Sequence, residues 1–214
     1  MKKDMGYEER KFNIFNKTLF VKFTKYLFYS LCIPIFLNGD ILVVNYLFDA
    51  DSASQFIIAS TLSKITYFLF GGIYIIIFNE FKLQKNMYQK LGFIFFYLFS
   101  IFGSAIFLFF FSELILKLLY DSKYIAAKQF FIYLIPAMCF FSILNIFSNI
   151  LIANNKFKFI IIFYLHFLIL IVLSLNLNLD LISFSKLFMT ISISLFVLVS
   201  GFFCYYLYDS HKKI

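Results

Sequence analysis

The chain has 214 residues, of which 63% are hydrophobic and only 14% charged, and its mean hydropathy is +0.90. A soluble domain is usually about 45–50% apolar and about 25% charged, which argues against a globular cytoplasmic enzyme. Thirty-five phenylalanines against seven glycines and two prolines argue equally against disorder or a collagen-like repeat. The class is all-α integral membrane, and the net charge of +8 then bears on topology rather than on nucleic-acid binding.

A bilayer core about 30 Å thick needs roughly 20 mostly apolar residues per helix, and six runs qualify. A basic segment, 1–19, precedes them and lacks the apolar region and small-residue cleavage site of a secretory signal. The first run covers 20–48 and is broken by Asn38-Gly39-Asp40. The second, 55–78, contains Lys64, and the third, 91–111, is nearly pure Phe, Leu and Ile. The connection 112–129 is amphipathic around Leu114, Leu118 and Leu119, which predicts an extension of the third helix. The fourth run, 130–152, holds Pro136 as a potential hinge; the fifth is 157–175 and the sixth 184–207, followed by a tail at 208–214.

Lysine placement sets the orientation. With the N-terminus cytoplasmic, the segments on that side carry 14 Lys/Arg and the opposite side carries four. The positive-inside rule therefore predicts a bundle of six transmembrane helices with N- and C-termini cytoplasmic. Tyr46, Tyr88, Tyr120, Tyr124, Tyr205 and Tyr206 sit near span ends, where an aromatic belt is expected in a chain without tryptophan. The lack of Trp beside abundant Phe, Ile, Lys, Asn and Tyr fits AT-rich coding DNA, hence a bacterium and its inner (plasma) membrane.

Ionisable side chains inside a span are costly, and two stand near mid-span. Asp40 precedes the first outer turn by about nine residues and Lys64 follows it by about ten, which puts both about 14 Å deep on antiparallel helices. They form a buried ion pair, face a water-filled cavity for a charged headgroup or coupling ion, or do both. Asn38 is their polar neighbour. Ser60, Lys64, Tyr67 and Gly71 share one face of the second helix, and Ser142, Asn145 and Asn149 one face of the fourth. Ser100, Gly103 and Ser104 do so on the third. These stripes also suit helix packing, and His166 suits packing better than proton relay. Cys32, Cys139 and Cys204 lie in separate apolar runs, so no metal site is expected. Asp49 and Asp51 could serve a membrane glycosyltransferase, but turn chemistry explains them better. The chain does not read as an enzyme.

Several segments, in order, resemble the oligosaccharide flippases of the polysaccharide-biosynthesis branch of the MOP exporter superfamily (Wzx-type). They are Asn38 to Val44 with Tyr46-Leu47-Phe48, Ala53 to Ile65, Leu118 to Met138 and Ile150 to Ile160. The chain departs from that pattern at Ser54, Phe56, Asn79 and Asp121. Such transporters usually have two six-helix bundles, so the resemblance implies a C-terminal half only. It implies a transporter or half-transporter that flips lipid-linked oligosaccharide, an isoprenoid diphosphate, for lipopolysaccharide or capsule biosynthesis. Asp40 and Lys64 match charged positions of the family's central cavity. H+ or Na+ is then the coupling ion, and no other cofactor is expected. Partners would be membrane lipids and a missing N-terminal six-helix half or a second copy, with no nucleic acid. Another MOP-type drug or lipid exporter, a membrane-embedded glycosyltransferase and an inactive truncated remnant are the alternatives.

Overall fold

The computed structural model describes residues 17–69, 87–120 and 122–211. Residues 1–16, 70–86, 121 and 212–214, which include Gly71 and the end of the second run, lie outside the described residues. The described residues form α-helices and one 3-10 helix, with no strand among them. The α-helices are α1 (Lys17–Leu47), α2 (Ala50–Ser63), α3 (Ile65–Leu69), α4 (Met87–Leu119), α5 (Lys128–Ala153), α6 (Ile160–Asn176) and α7 (Leu181–His211). The 3-10 helix, Ser122–Ala127, leads into α5.

Four stretches are long and apolar enough to cross a membrane, namely Phe20–Leu47, Gly92–Leu119, Ser122–Ala153 and Leu181–Tyr206. The chain is therefore a multi-pass membrane protein. The fifth run emerges as α6, a shorter apolar helix of 17 residues. The second is divided at Lys64 into α2 and α3. The amphipathic connection does extend the third helix, since α4 continues to Leu119.

The expected break at Asn38-Gly39-Asp40 is absent, because α1 runs through it and through Pro34. Pro34 lacks the N–H that would bond its preceding turn, and lipid offers no water to replace that bond. The Pro34 carbonyl accepts from Asn38 Nδ2 at 3.0 Å, which ties the next turn together. Gly39 supplies clearance instead of a turn. A Cβ there would overlap the ring of Phe167 on α6, so the missing side chain lets α1 and α6 approach closely. Pro136 likewise lies inside a continuous α5.

α5 is the axis of the bundle. Within its membrane-crossing window 67% of residues are buried, against 22–33% in the other three. It packs on α7, α4, α2 and α3, while α1 lies between α2 and α6. Aromatic pairs set the directions. Tyr26 meets Phe157 and Phe36 meets Phe167, so α1 and α6 run parallel. Phe147 stacks on Phe203 while Lys186 lies over Tyr133, so α5 and α7 run parallel. The Glu113–Lys128 ion pair at one end and the Tyr97–Ser142 bond further along make α4 and α5 antiparallel. Phe48 against Phe184 and Phe36 against Phe188 make α1 and α7 antiparallel, so α1, α4 and α6 run one way and α5 and α7 the other.

That arrangement separates the charges. One end of the bundle carries Lys22, Lys25, Lys156 and Lys158. At the other end Lys117, Lys123, Lys128 and Lys186 are balanced by Asp49, Asp51, Glu113 and Asp180. Two of these acids cap helices. Asp49 accepts from the Ser52 N–H at 3.0 Å and starts α2, and Asp180 accepts from the Ser183 N–H at 3.1 Å ahead of α7.

Candidate functional site: a buried charge pair at a helix break

Lys64 ends α2 and occupies the single-residue break before α3. The break is shallow: the N–H groups of Tyr67 and Phe68 both reach the Lys64 carbonyl at 3.0 Å, a local tightening toward 3-10 geometry. The Lys64 Nζ donates to Asp40 Oδ1 at 3.0 Å. Ser60, one turn earlier on the same face, donates its hydroxyl to Asp40 Oδ2. Asp40 is 0% exposed and Lys64 4%.

Both carboxylate oxygens are therefore engaged by protein. Taking a lone carboxylate out of water costs several kcal/mol even after relaxation, and the Lys64 cation with the Ser60 donor is what offsets it. The pair is enclosed in protein rather than facing an open cleft, because α1 and α2 pack directly across it.

A chain of buried polar groups continues from this pair across the bundle. Ser63 and Thr66, on either side of Lys64, are fully buried and bond to the carbonyls of Ala59 and Ser63. Ser142 on α5 donates to Met138 O and reaches Thr66 O at 3.4 Å. Tyr97 on α4 donates its hydroxyl to Ser142 O at 3.2 Å. Residues from α1, the α2/α3 joint, α5 and α4 thus meet in the middle of an otherwise apolar core. Ser63, Thr66 and Tyr97 are the members that sequence reasoning missed. The available signal was a polar side chain inside an apolar run, with Tyr97 the plainest case among phenylalanines.

The remaining sequence candidates lie elsewhere. Asn38 is exposed on α1 and bonded back to Pro34. Tyr67 is half-buried, with its ring edge-on to Phe68. Asn145 and Asn149 bond to each other along α5, from Asn149 Nδ2 to Asn145 Oδ1 at 2.8 Å. Of the seven candidates, the structure brings Asp40, Ser60 and Lys64 into direct contact. His166 donates from Nδ1 to Ile162 O at 2.8 Å, the bond of a histidine satisfied within its own helix.

The acidic residues ahead of α2 and α7 have local work. The Ser52 backbone N–H, followed by its hydroxyl, holds Asp49 below its ordinary carboxylate range, and the Ser183 hydroxyl, followed by its backbone N–H, does so for Asp180. Among the described residues no three His, Cys, Asp or Glu side chains lie close enough to hold a metal ion. The chain matches no protein-family model, no curated protein and no solved structure.

Proposed function

We propose that this chain is one six-helix half of a transporter that flips lipid-linked oligosaccharide across a bacterial inner membrane for surface polysaccharide biosynthesis. The observation that carries the reading is the buried Asp40–Lys64 pair at a helix break in the middle of a membrane bundle. Ionisable residues at that depth are functional by default. The resemblance of the segments around Asp40, Lys64 and Ile150 to Wzx-type flippases supplies the substrate class. The opposed directions of α1, α4 and α6 against α5 and α7, with the basic end, support six spans with both termini in the cytoplasm.

In this mechanism the enclosed pair is the resting state. Rocking against a partner bundle separates α1 from the α2/α3 joint and frees the Lys64 ammonium for the anionic diphosphate headgroup. The lipid tail stays in hydrocarbon throughout. Asp40, losing its counter-charge, takes up H+ or Na+ and returns it when the pair closes. The partner bundle is a separate N-terminal half or a second copy of this chain.

The test is deletion of the gene with surface glycan as the readout. Loss of surface glycan, restored by the wild-type chain but not by Lys64→Ala at equal membrane abundance, is the expected result. Full restoration by Lys64→Ala overturns the role of the pair, and unchanged glycan after deletion overturns the function.

A further inference from the structure

A groove of about 1000 Å³ runs between α1 and α6 on the outside of the bundle. Its walls include Phe20, Lys25 and Phe28 on α1 and Phe157, Leu165 and Ile171 on α6. It lies apart from the Asp40–Lys64 pair, none of whose members lines it.

Three features set this groove apart from an ordinary lipid-facing surface. Its length is the first: at about 1.5 Å per residue it follows α6 from Phe157 to Ile171 for about 21 Å, with α1 walling about 12 Å of it from Phe20 to Phe28. One leaflet of hydrocarbon is about 15 Å deep, half of a core about 30 Å thick, so an acyl chain fits along it. The walls are also fixed. Tyr164 donates its hydroxyl to Phe28 O at 2.7 Å and packs edge-on to the Phe28 ring, which holds α1 and α6 at a set separation.

The third feature is charge, confined to one end. Lys25 lines the groove where its α6 wall begins, with its Nζ 5.8 Å from the centroid of the Phe157 ring. Lys156 and Lys158 flank Phe157 in the turn before α6, and Lys22 precedes Lys25 by one helical turn; all four are exposed. None is ion-paired with a carboxylate among the described residues. A fixed apolar channel beside ammonium groups with no carboxylate partner among the described residues is complementary to an acyl chain that ends in a phosphate.

We propose that this groove is a binding site for an anionic phospholipid, with its acyl chain between α1 and α6 and its headgroup phosphate on Lys25 and Lys158. The inference does not depend on what the protein transports. Each lysine near a membrane surface favours an anionic over a zwitterionic lipid by about fivefold.

The chain has no tryptophan, so a single introduced one reports on its own surroundings. In Leu165→Trp, reconstituted in bilayers, quenching by brominated phosphatidylglycerol and by brominated phosphatidylcholine is compared across bulk mole fractions. Half-quenching is expected at a phosphatidylglycerol fraction at least fivefold lower than for phosphatidylcholine. Adding Lys25→Gln and Lys158→Gln should bring the two curves together without moving the phosphatidylcholine curve. Phe110→Trp, on the exposed face of α4, should show no preference. Equal curves in Leu165→Trp overturn the proposal, as does the same preference at Phe110→Trp or its survival in the double Gln variant. If Leu165→Trp fails to assemble, Leu168→Trp on the same wall reports in its place.

Discussion

Replacing Lys64 with Met removes one charge from a pair that is almost wholly out of water. Asp40 is 0% exposed, and its Oδ1 lies 3.0 Å from the Lys64 ammonium. At an effective dielectric of about 20, unit charges about 3 Å apart attract by about 5–6 kcal/mol, which offsets the cost of burying both. Removing one partner leaves the other buried and uncompensated, a loss of about 3–5 kcal/mol. The Ser60 hydroxyl still donates to Asp40 in the variant, which places the expected loss nearer about 3 kcal/mol. Asp40→Leu alone strands the ammonium and should cost a similar amount. The double variant Asp40→Leu/Lys64→Met buries no charge and should fall within about 1 kcal/mol of wild type, or above it. Reversible unfolding in mixed detergent micelles, read as a double-mutant cycle, gives the coupling directly. A Lys64→Met variant as stable as Lys186→Met, where the lysine is exposed, would refute the reasoning. So would additive single losses.

The other expectations concern packing, caps and orientation. Gly39→Val drives a side chain into the Phe167 ring and should cost about 1–3 kcal/mol in the same unfolding assay; Phe167→Ala in that background should recover part of it. Asp49→Ala should loosen the start of α2, seen as faster amide exchange over Ala50–Ala53 with α5 unchanged. Asp49 and Asp180 sit below the ordinary carboxylate value of 3.8, so their contribution is complete above that value and lost as the pH falls through the lowered one. Protection at the starts of α2 and α7, corrected for intrinsic exchange rates, should therefore hold from pH 7 to 5 and drop only below about 4. With Cys204 replaced by Ser, Asp51→Cys should react with an impermeant maleimide in intact cells, and Lys158→Cys only after permeabilisation. Cys32 and Cys139 are buried and should stay unlabelled.

Much of the helical plan was legible because lipid imposes it: long apolar runs have no soluble alternative, and four described helices match runs read from the sequence. The meeting of Asp40 and Lys64 was legible for a similar reason. Counting equal distances from a turn brings two residues to one depth on antiparallel helices, and a buried charge at that depth has few other partners. Helix breaks were misplaced because they depend on tertiary contacts. Asn38-Gly39-Asp40 looks like a breaker locally, yet the Phe167 ring opposite Gly39 makes it a packing site. Lys64, a helix former, ends α2 where its side chain turns to Asp40. The Tyr97–Ser142–Thr66 link joins positions up to 76 residues apart, a connection that no periodicity encodes.

The proposed activity is movement of a glycan lipid from one leaflet to the other. Its most direct test is the sidedness of the isoprenoid-diphosphate-linked oligosaccharide in spheroplasts, with and without this chain. A membrane-impermeant glycosidase should digest the lipid-linked pool when the chain is present. In the deletion strain, and with Lys64→Ala, the pool should remain intact and accumulate facing the cytoplasm. An equally digestible pool in the deletion strain would contradict the account.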